Sequence, residues 1–190
     1  MYVLLVNDDG IHSQGLRALR IALVEHGHKV SVVAPERQYS GAGHSLTVYE
    51  PLTGREIHED GFEGYAISGT PADCVKLALG GLLDKRPDLV FSGINLGPNV
   101  GPDLSYSGTV GAAAEASHCG IGAMAFSQLA QSWSDTLPHI AAHAVNLAGS
   151  IDWQGLPGGV VLNVNYPDRI PGEGEKPCVC AQSPASWEKV

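Results

Sequence analysis

The chain commits to an α/β architecture before it reaches Pro35. Tyr2-Val-Leu-Leu-Val6 is a short run of largely branched apolar residues, and such a run reads as a buried strand. Ser13 to His26 follows as a helix. Leu16, Leu19, Leu23 and Val24 fall on one stripe, with Ser13 placed as N-cap and Gly27 as the residue that ends it. Lys29 to Ala34, apolar from Val30 to Val33, is a second strand. Strand, helix, strand makes a βαβ unit, whose two strands run parallel.

The alternation continues. Leu46 to Glu50, Arg55 to Glu59 and Tyr65 to Ser68 read as short strands separated by turns at Pro51 to Gly54 and at Asp60-Gly61. They form a small β-hairpin excursion from the main sheet. Thr70-Pro71-Ala72-Asp73 opens a helix that runs to about Gly80, with Thr70 as N-cap, Pro71 at the first position and Asp73 closing a capping box. Leu89 to Ser92 is a third core strand. Val110 to His118 is a helix of small residues suited to close packing on a sheet. Ile121 to Ser127 is a strand, Leu137 to Ala148 a helix and Gly159 to Val164 a last strand.

Composition narrows the function classes. With 190 residues, 44% hydrophobic and 16% charged, the chain suits one globular domain with a sizeable core. Its formal net charge is -9 and it has no basic run, which argues against a nucleic-acid polymer or an anionic membrane as partner. No apolar stretch is long enough to span a bilayer, and no basic segment precedes the first strand, so a cytoplasmic protein is expected. Cys74, Cys119, Cys178 and Cys180 form no Cys-x-x-Cys motif, which fits reduced thiols. Cys178 and Cys180 are expected on one face of a strand-like segment.

Chemistry concentrates where strands end. The first strand stops at Asn7-Asp8-Asp9-Gly10, and open α/β sheets place ligands beyond the carboxyl ends of their strands. Two adjacent carboxylates repel, so they call for a divalent cation, an Arg or Lys, or a shared proton; an Asx-turn capping the next helix is the plain alternative. Gln38-Tyr39-Ser40-Gly41, Ser92-Gly93-Ile94-Asn95 and Ser107-Gly108-Thr109 fall on the same expected edge. Asp8, Asp9, Ser40 and Asn95 then supply hard oxygen donors, which suit Mg²⁺, Mn²⁺ or Ca²⁺. Ser107-Gly108-Thr109 opens a helix, and free N–H groups with hydroxyls there bind phosphate. The plain alternatives are that Ser40 only shapes its turn and Asn95 only caps its loop.

Other chemistries fit less well. Walker A and Gly-x-Gly-x-x-Gly patterns are absent. Gly43-His44-Ser45-Leu46-Thr47 lacks the closing glycine of a nucleophile elbow. His139 and His143 lack the Glu of a zinc-protease helix. His12 and His44 lie in the candidate loops, as general acids or as structural hydrogen-bonding residues. A receiver-like signalling module also places two acids after its first strand, but it needs an Asp where Asn95 stands and a Lys after the strand at 121–127. A non-catalytic nucleotide binder is the other rival.

Five linked motifs carry a family resemblance: Asn7 to Gly10, Val33 to Arg37 with Ser40-Gly41, Gly69 to Val75, Ser92 to Asn99 and Tyr106 to Val110. Together they resemble the survival protein SurE family, in order from Met1 to about Pro167. The resemblance implies a Rossmann-like parallel sheet with helices on both faces. It also implies a metal-dependent nucleotidase acting on nucleoside 5′- or 3′-monophosphates, in some members also on polyphosphate. By the same resemblance Asp8, Asp9, Ser40 and Asn95 match the ligands of one divalent cation, Mg²⁺ or Mn²⁺. Asn99, Ser107, Gly108 and Thr109 match residues near the substrate phosphate, with Asp8 and Asp9 at the catalytic centre. A homodimer or homotetramer is implied too. The chain departs from the family pattern in placing Glu36 and Gln38 around Arg37, where Asp and Asn are usual. Family members also continue past Val190 through an assembly hairpin, so residues 1–190 read as one nucleotidase domain without it.

Overall fold

The computed structural model describes residues 1–59, 61–129, 133–172 and 174–184. Seven strands form one sheet: β1 (Tyr2–Val6), β2 (Lys29–Pro35), β3 (Gly54–Glu59), β4 (Phe62–Ile67), β5 (Leu89–Leu96), β6 (Gly122–Gln128) and β7 (Val161–Tyr166), in the order β3-β4-β2-β1-β5-β6-β7. Every pairing is parallel except β3 with β4. The helices are α1 (Gln14–Glu25), α2 (Pro71–Leu77), α3 (Gly108–His118) and α4 (Trp133–Gly149).

The pleat explains the layers. Val3 and Leu5 of β1 face a core shared with Leu16, Leu19 and Leu23 of α1 and Ile140 of α4. Leu4 and Val6 face the other core, with Val75 of α2 and Ala112, Ala113 and Ala116 of α3. Alternate residues of a buried strand therefore serve two helical layers. Phe91 and Phe126 pack edge to face across β5 and β6, with ring centroids 5.2 Å apart. The small residues of α3 allow close approach: a Cβ on Gly111 would lie 2.3 Å from the Gly43 carbonyl oxygen.

The caps form as the sequence implies. Ser13 accepts from the Leu16 N–H, and Thr70 with Asp73 makes a full capping box. Three local expectations are corrected. Residues 46–50 form no strand, because their apolar alternation finds no partner: Val48 and Tyr49 are exposed, and the Thr47 N–H donates to the Asp73 carboxylate. The hairpin at β3–β4 does not stand off the main sheet but extends it, since β4 pairs with β2. Cys178 and Cys180 lie in an irregular segment, not a strand.

β1 is the hub. The chain leaves it toward β2 on one side and returns to β5 on the other. Their carboxyl ends flank the switch point where α/β sheets hold ligands. β5 runs on to Leu96, with a register shift between Ser92 and Asn95.

Candidate active site

The acid pair sits on a turn locked from beneath. Asn7, fully buried, donates from Nδ2 to the Gly10 carbonyl (2.9 Å) and to Ser13 Oγ (2.7 Å). Gly10, at φ 93°, lets the turn pass against Arg37. The loop after β2 is tied on by the Tyr39 N–H donating to the Asp8 carbonyl (2.8 Å).

Asp8 is 5% exposed and faces the first residues of α3. Thr109 Oγ1 donates to its Oδ1. Burial pushes the Asp8 carboxyl above the usual range, and the Thr109 hydroxyl and the backbone N–H groups of Thr109 and Gly108 partly offset this. Gly108 is required here, since a Cβ would lie 2.8 Å from Asp8 Cβ. Asp9 is pushed up to about 6, first by burial and then by repulsion from Asp8. The Leu96 N–H donates to Asp9 Oδ2 (3.4 Å), which brings Asp9 to the end of β5 beside Asn95.

Gln38 joins Asp9 to Ser40. Its Nε2 donates to Asp9 Oδ1 (3.3 Å) and to Ser40 Oγ (2.9 Å). Asn95 donates from Nδ2 to the Gly97 carbonyl (2.7 Å), which commits its amide nitrogen and not its oxygen. Two carboxylates, a hydroxyl and an amide thus come from two loops and the end of β5 at one edge. That is a hard donor set of the kind Mg²⁺ and Mn²⁺ take.

The expected phosphate residues divide. Ser107 caps α3, accepting from the Val110 N–H (3.1 Å). Thr109 is fully buried and gives its hydroxyl proton to Asp8, and the Gly108 and Thr109 N–H groups face the same carboxylate. Asn99 is a strut toward β6 and β7. It donates from Nδ2 to Ser127 Oγ (2.8 Å) and from its backbone N–H to Asn165 Oδ1 (2.7 Å), and its carbonyl accepts from Asn163 and Asn165. The sequence alone gives no role to Gln38 as a bridge or to the Asn163–Asn165 pair. Alternate asparagines in an otherwise apolar last strand were the available signal for the second. Neither candidate general acid bonds to the acid pair: His12 lies 3.4 Å from Glu59 Oε1, and His44 donates to Glu115. His143 bonds to the Tyr166 hydroxyl (3.1 Å).

A sequence model of the family described as Survival protein SurE matches residues 3–189. This chain belongs to the SurE family. A protein named 5′-nucleotidase SurE from Desulfovibrio desulfuricans is 53% identical over 195 residues, covering 100% of this chain and 76% of its own. One of the same name from Nitratidesulfovibrio vulgaris is 50% identical over 188 residues, covering 99% of this chain and 70% of its own. The crystal structure of SurE protein from Aquifex aeolicus superposes with a TM-score of 0.79 at 46% identity, over 90% of this chain and 67% of that one. The SurE fold expected from the motifs is therefore the fold observed.

Proposed function

We propose that this chain is a metal-dependent phosphomonoesterase that hydrolyses nucleoside 5′-monophosphates to nucleoside and phosphate. The observation that carries the reading is the meeting of Asp8 with the start of α3, where Thr109 donates to Asp8 Oδ1. It sets a paired-acid corner against a helix terminus able to receive phosphate oxygens. The activity named for relatives at 53% and 50% identity is the same.

Asp8, Asp9, Ser40 and Asn95 would hold one divalent cation, Mg²⁺ or Mn²⁺. The fit rests on their oxygen chemistry and on the partly positive amide of Gln38 lying between Asp9 and Ser40. Bound there, the ion offsets the repulsion of the acids and draws charge from the phosphate. The chain's own groups do the rest. The N–H groups of Gly108 and Thr109, which face Asp8, are shared between that carboxylate and the phosphate oxygens, with Ser107 at the cap, and Asn99 closes the β7 flank. Water adds to phosphorus in line with the ester oxygen; the P–O ester bond breaks and the nucleoside leaves with that oxygen, protonated. We extend the reading to 3′-monophosphates and short polyphosphate, to a homodimer or homotetramer in the cytoplasm, and to residues 1–190 as one nucleotidase domain. Among the described residues no helix is long and apolar enough to cross a membrane.

A receiver-like module is disfavoured because Asn95 stands where its acceptor acid is needed and no Lys follows β6 before α4. Phosphate release from a panel of nucleoside monophosphates, with Mg²⁺ or Mn²⁺ and with EDTA, tests the proposal. Steady release abolished by EDTA is expected. Nucleotide binding without release overturns it in favour of a non-catalytic binder.

A further inference from the structure

α3 carries a second set of donors, away from the acid pair. Glu115 is 7% exposed and lies on the helix two turns after Gly108. Its Oε2 accepts from His44 Nε2 at 2.8 Å, and its Oε1 accepts from Lys76 Nζ at 3.0 Å. His118, on the same helix, stacks on His44 with ring centroids 5.3 Å apart and planes 29° apart. One ligand atom from each of His44, Glu115 and His118 lies within 4.8 Å of the others. Both histidines are on the surface, and the carboxylate forms the floor.

We propose that His44, Glu115 and His118 form a second cation site, for a borderline ion of the zinc class. Two imidazoles and one carboxylate are the donors such ions take, whereas Mg²⁺ and Mn²⁺ favour the oxygen corner at Asp8 and Asp9. The spacing needs only a small inward adjustment, since tetrahedral ligand atoms about 2.0–2.1 Å from an ion lie a little over 3 Å apart. His44 and His118 bind through neutral rings. His44 now donates from Nε2 to Glu115 Oε2; when the ion takes that place, the neutral ring carries its one proton on Nδ1. Lys76, half exposed, keeps Oε1 or swings to water. The ion would clasp the turn carrying His44, four residues beyond Ser40, to the helix whose start faces Asp8. Cys119 Sγ, 3.9 Å from Glu115 Oε1, is not part of the set.

The full-length chain carrying Asp9→Asn, Cys178→Ser and Cys180→Ser removes the competing oxygen and thiol donors. Dialysed with Zn²⁺ against excess Mg²⁺, it should retain one zinc per chain, measured by elemental analysis. Adding either His118→Ala or His44→Asn, both surface changes, should abolish retention. Co²⁺ in place of zinc should give a visible d–d band without a near-ultraviolet thiolate band. No zinc on the parent, retention by either histidine variant, or a thiolate band would each overturn the proposal. None of these readouts involves turnover, so this site and the nucleotidase reading fail independently.

Discussion

Two groups of buried acids touch the same helix and are treated oppositely. Asp8 crowds the start of α3 and is lifted by burial, and Asp9 beside it is lifted by burial and by repulsion from Asp8. Glu115 lies two turns further on. Burial would raise it as well, but hydrogen bonds from His44 and Lys76 overcome that and hold it below its ordinary range. At Glu115 the fold supplies its own counter-charge from Lys76 and a hydrogen bond from His44, on two distant segments. At the acid pair the described residues supply dipoles: the Thr109 hydroxyl, the Gln38 amide and backbone N–H groups. Leaving a pair of carboxylates uncompensated costs stability, and folds accept such costs mainly at functional sites. The difference is the electrostatic ground on which we propose the acid pair as the seat of an external cation bound in hard oxygen. Glu115, by contrast, would accept an ion only by giving up its hydrogen bond from His44.

That contrast is broken most directly at Asp9. Asp9→Asn should lower phosphate release by about three orders of magnitude, because a bound metal supplies several kcal/mol of charge stabilisation. Near-normal steady-state rates in the variant would show that the acid pair holds no catalytic ion. Next in size, zinc at about one hundred times its Kd should stabilise the Asp9→Asn, Cys178→Ser, Cys180→Ser chain by roughly 2.7 kcal/mol. Read by scanning calorimetry, that is a rise in Tm of about 5–10 °C for a chain of this length. The rise should vanish with His118→Ala, which removes one of the three proposed donors and leaves His44 and Glu115 in place. Smaller again is Thr109→Val. It keeps shape but removes the hydroxyl donor to Asp8, a buried hydrogen bond to a charged group worth about 1.5–3 kcal/mol. Turnover should fall roughly tenfold to a hundredfold, with circular dichroism unchanged. An unchanged rate would mean that Thr109 only fills space.

The frame of the acid pair was legible because it is local. The β1 run, the Ser13 and Thr70 caps and the small-residue helix from Gly108 each declare themselves within a few residues, and parallel strands then send their loops to one edge. The pairing of Glu115 was not legible, since His44 and Lys76 stand 71 and 39 residues away and nothing in local pattern links them. The same holds for the hairpin. Its internal antiparallel register is short-range, but its place beside β2 depends on a pairing no spacing announces. Residues 46–50 mark the opposite error. Alternation promises a strand only where a partner edge exists, and there the Thr47 N–H is taken by Asp73. Gln38 falls between these cases: its loop was singled out, but its bridging of Asp9 and Ser40 follows from the folded turn rather than from its type.

The smallest effect separates the two acid groups without any metal added. An unfolded Asp ionises near 3.9, whereas folded Asp9 holds its proton to about 6. The folded state therefore binds a proton that the unfolded state has lost between those values, so Asp9 favours folding at low pH. That contribution disappears as pH rises through about 6, with no further change above. Asp8, raised in the same direction, adds to the trend. Discounted for partial solvent access, the loss at Asp9 is about 1–2 kcal/mol. In EDTA, the chain's urea midpoint should therefore fall between pH 4.5 and 7 by more than that of Asp9→Asn, and at pH 7.5 the variant should be the more stable of the two. Glu115 has the opposite sign: its carboxyl is lowered, so its contribution is present at neutral pH and is lost only on acidification through its folded value. Glu115→Gln should therefore destabilise the chain at pH 7.5, where Asp9→Asn stabilises it. If both substitutions shift the midpoint in the same direction, the two acids are not held in opposite electrostatic states.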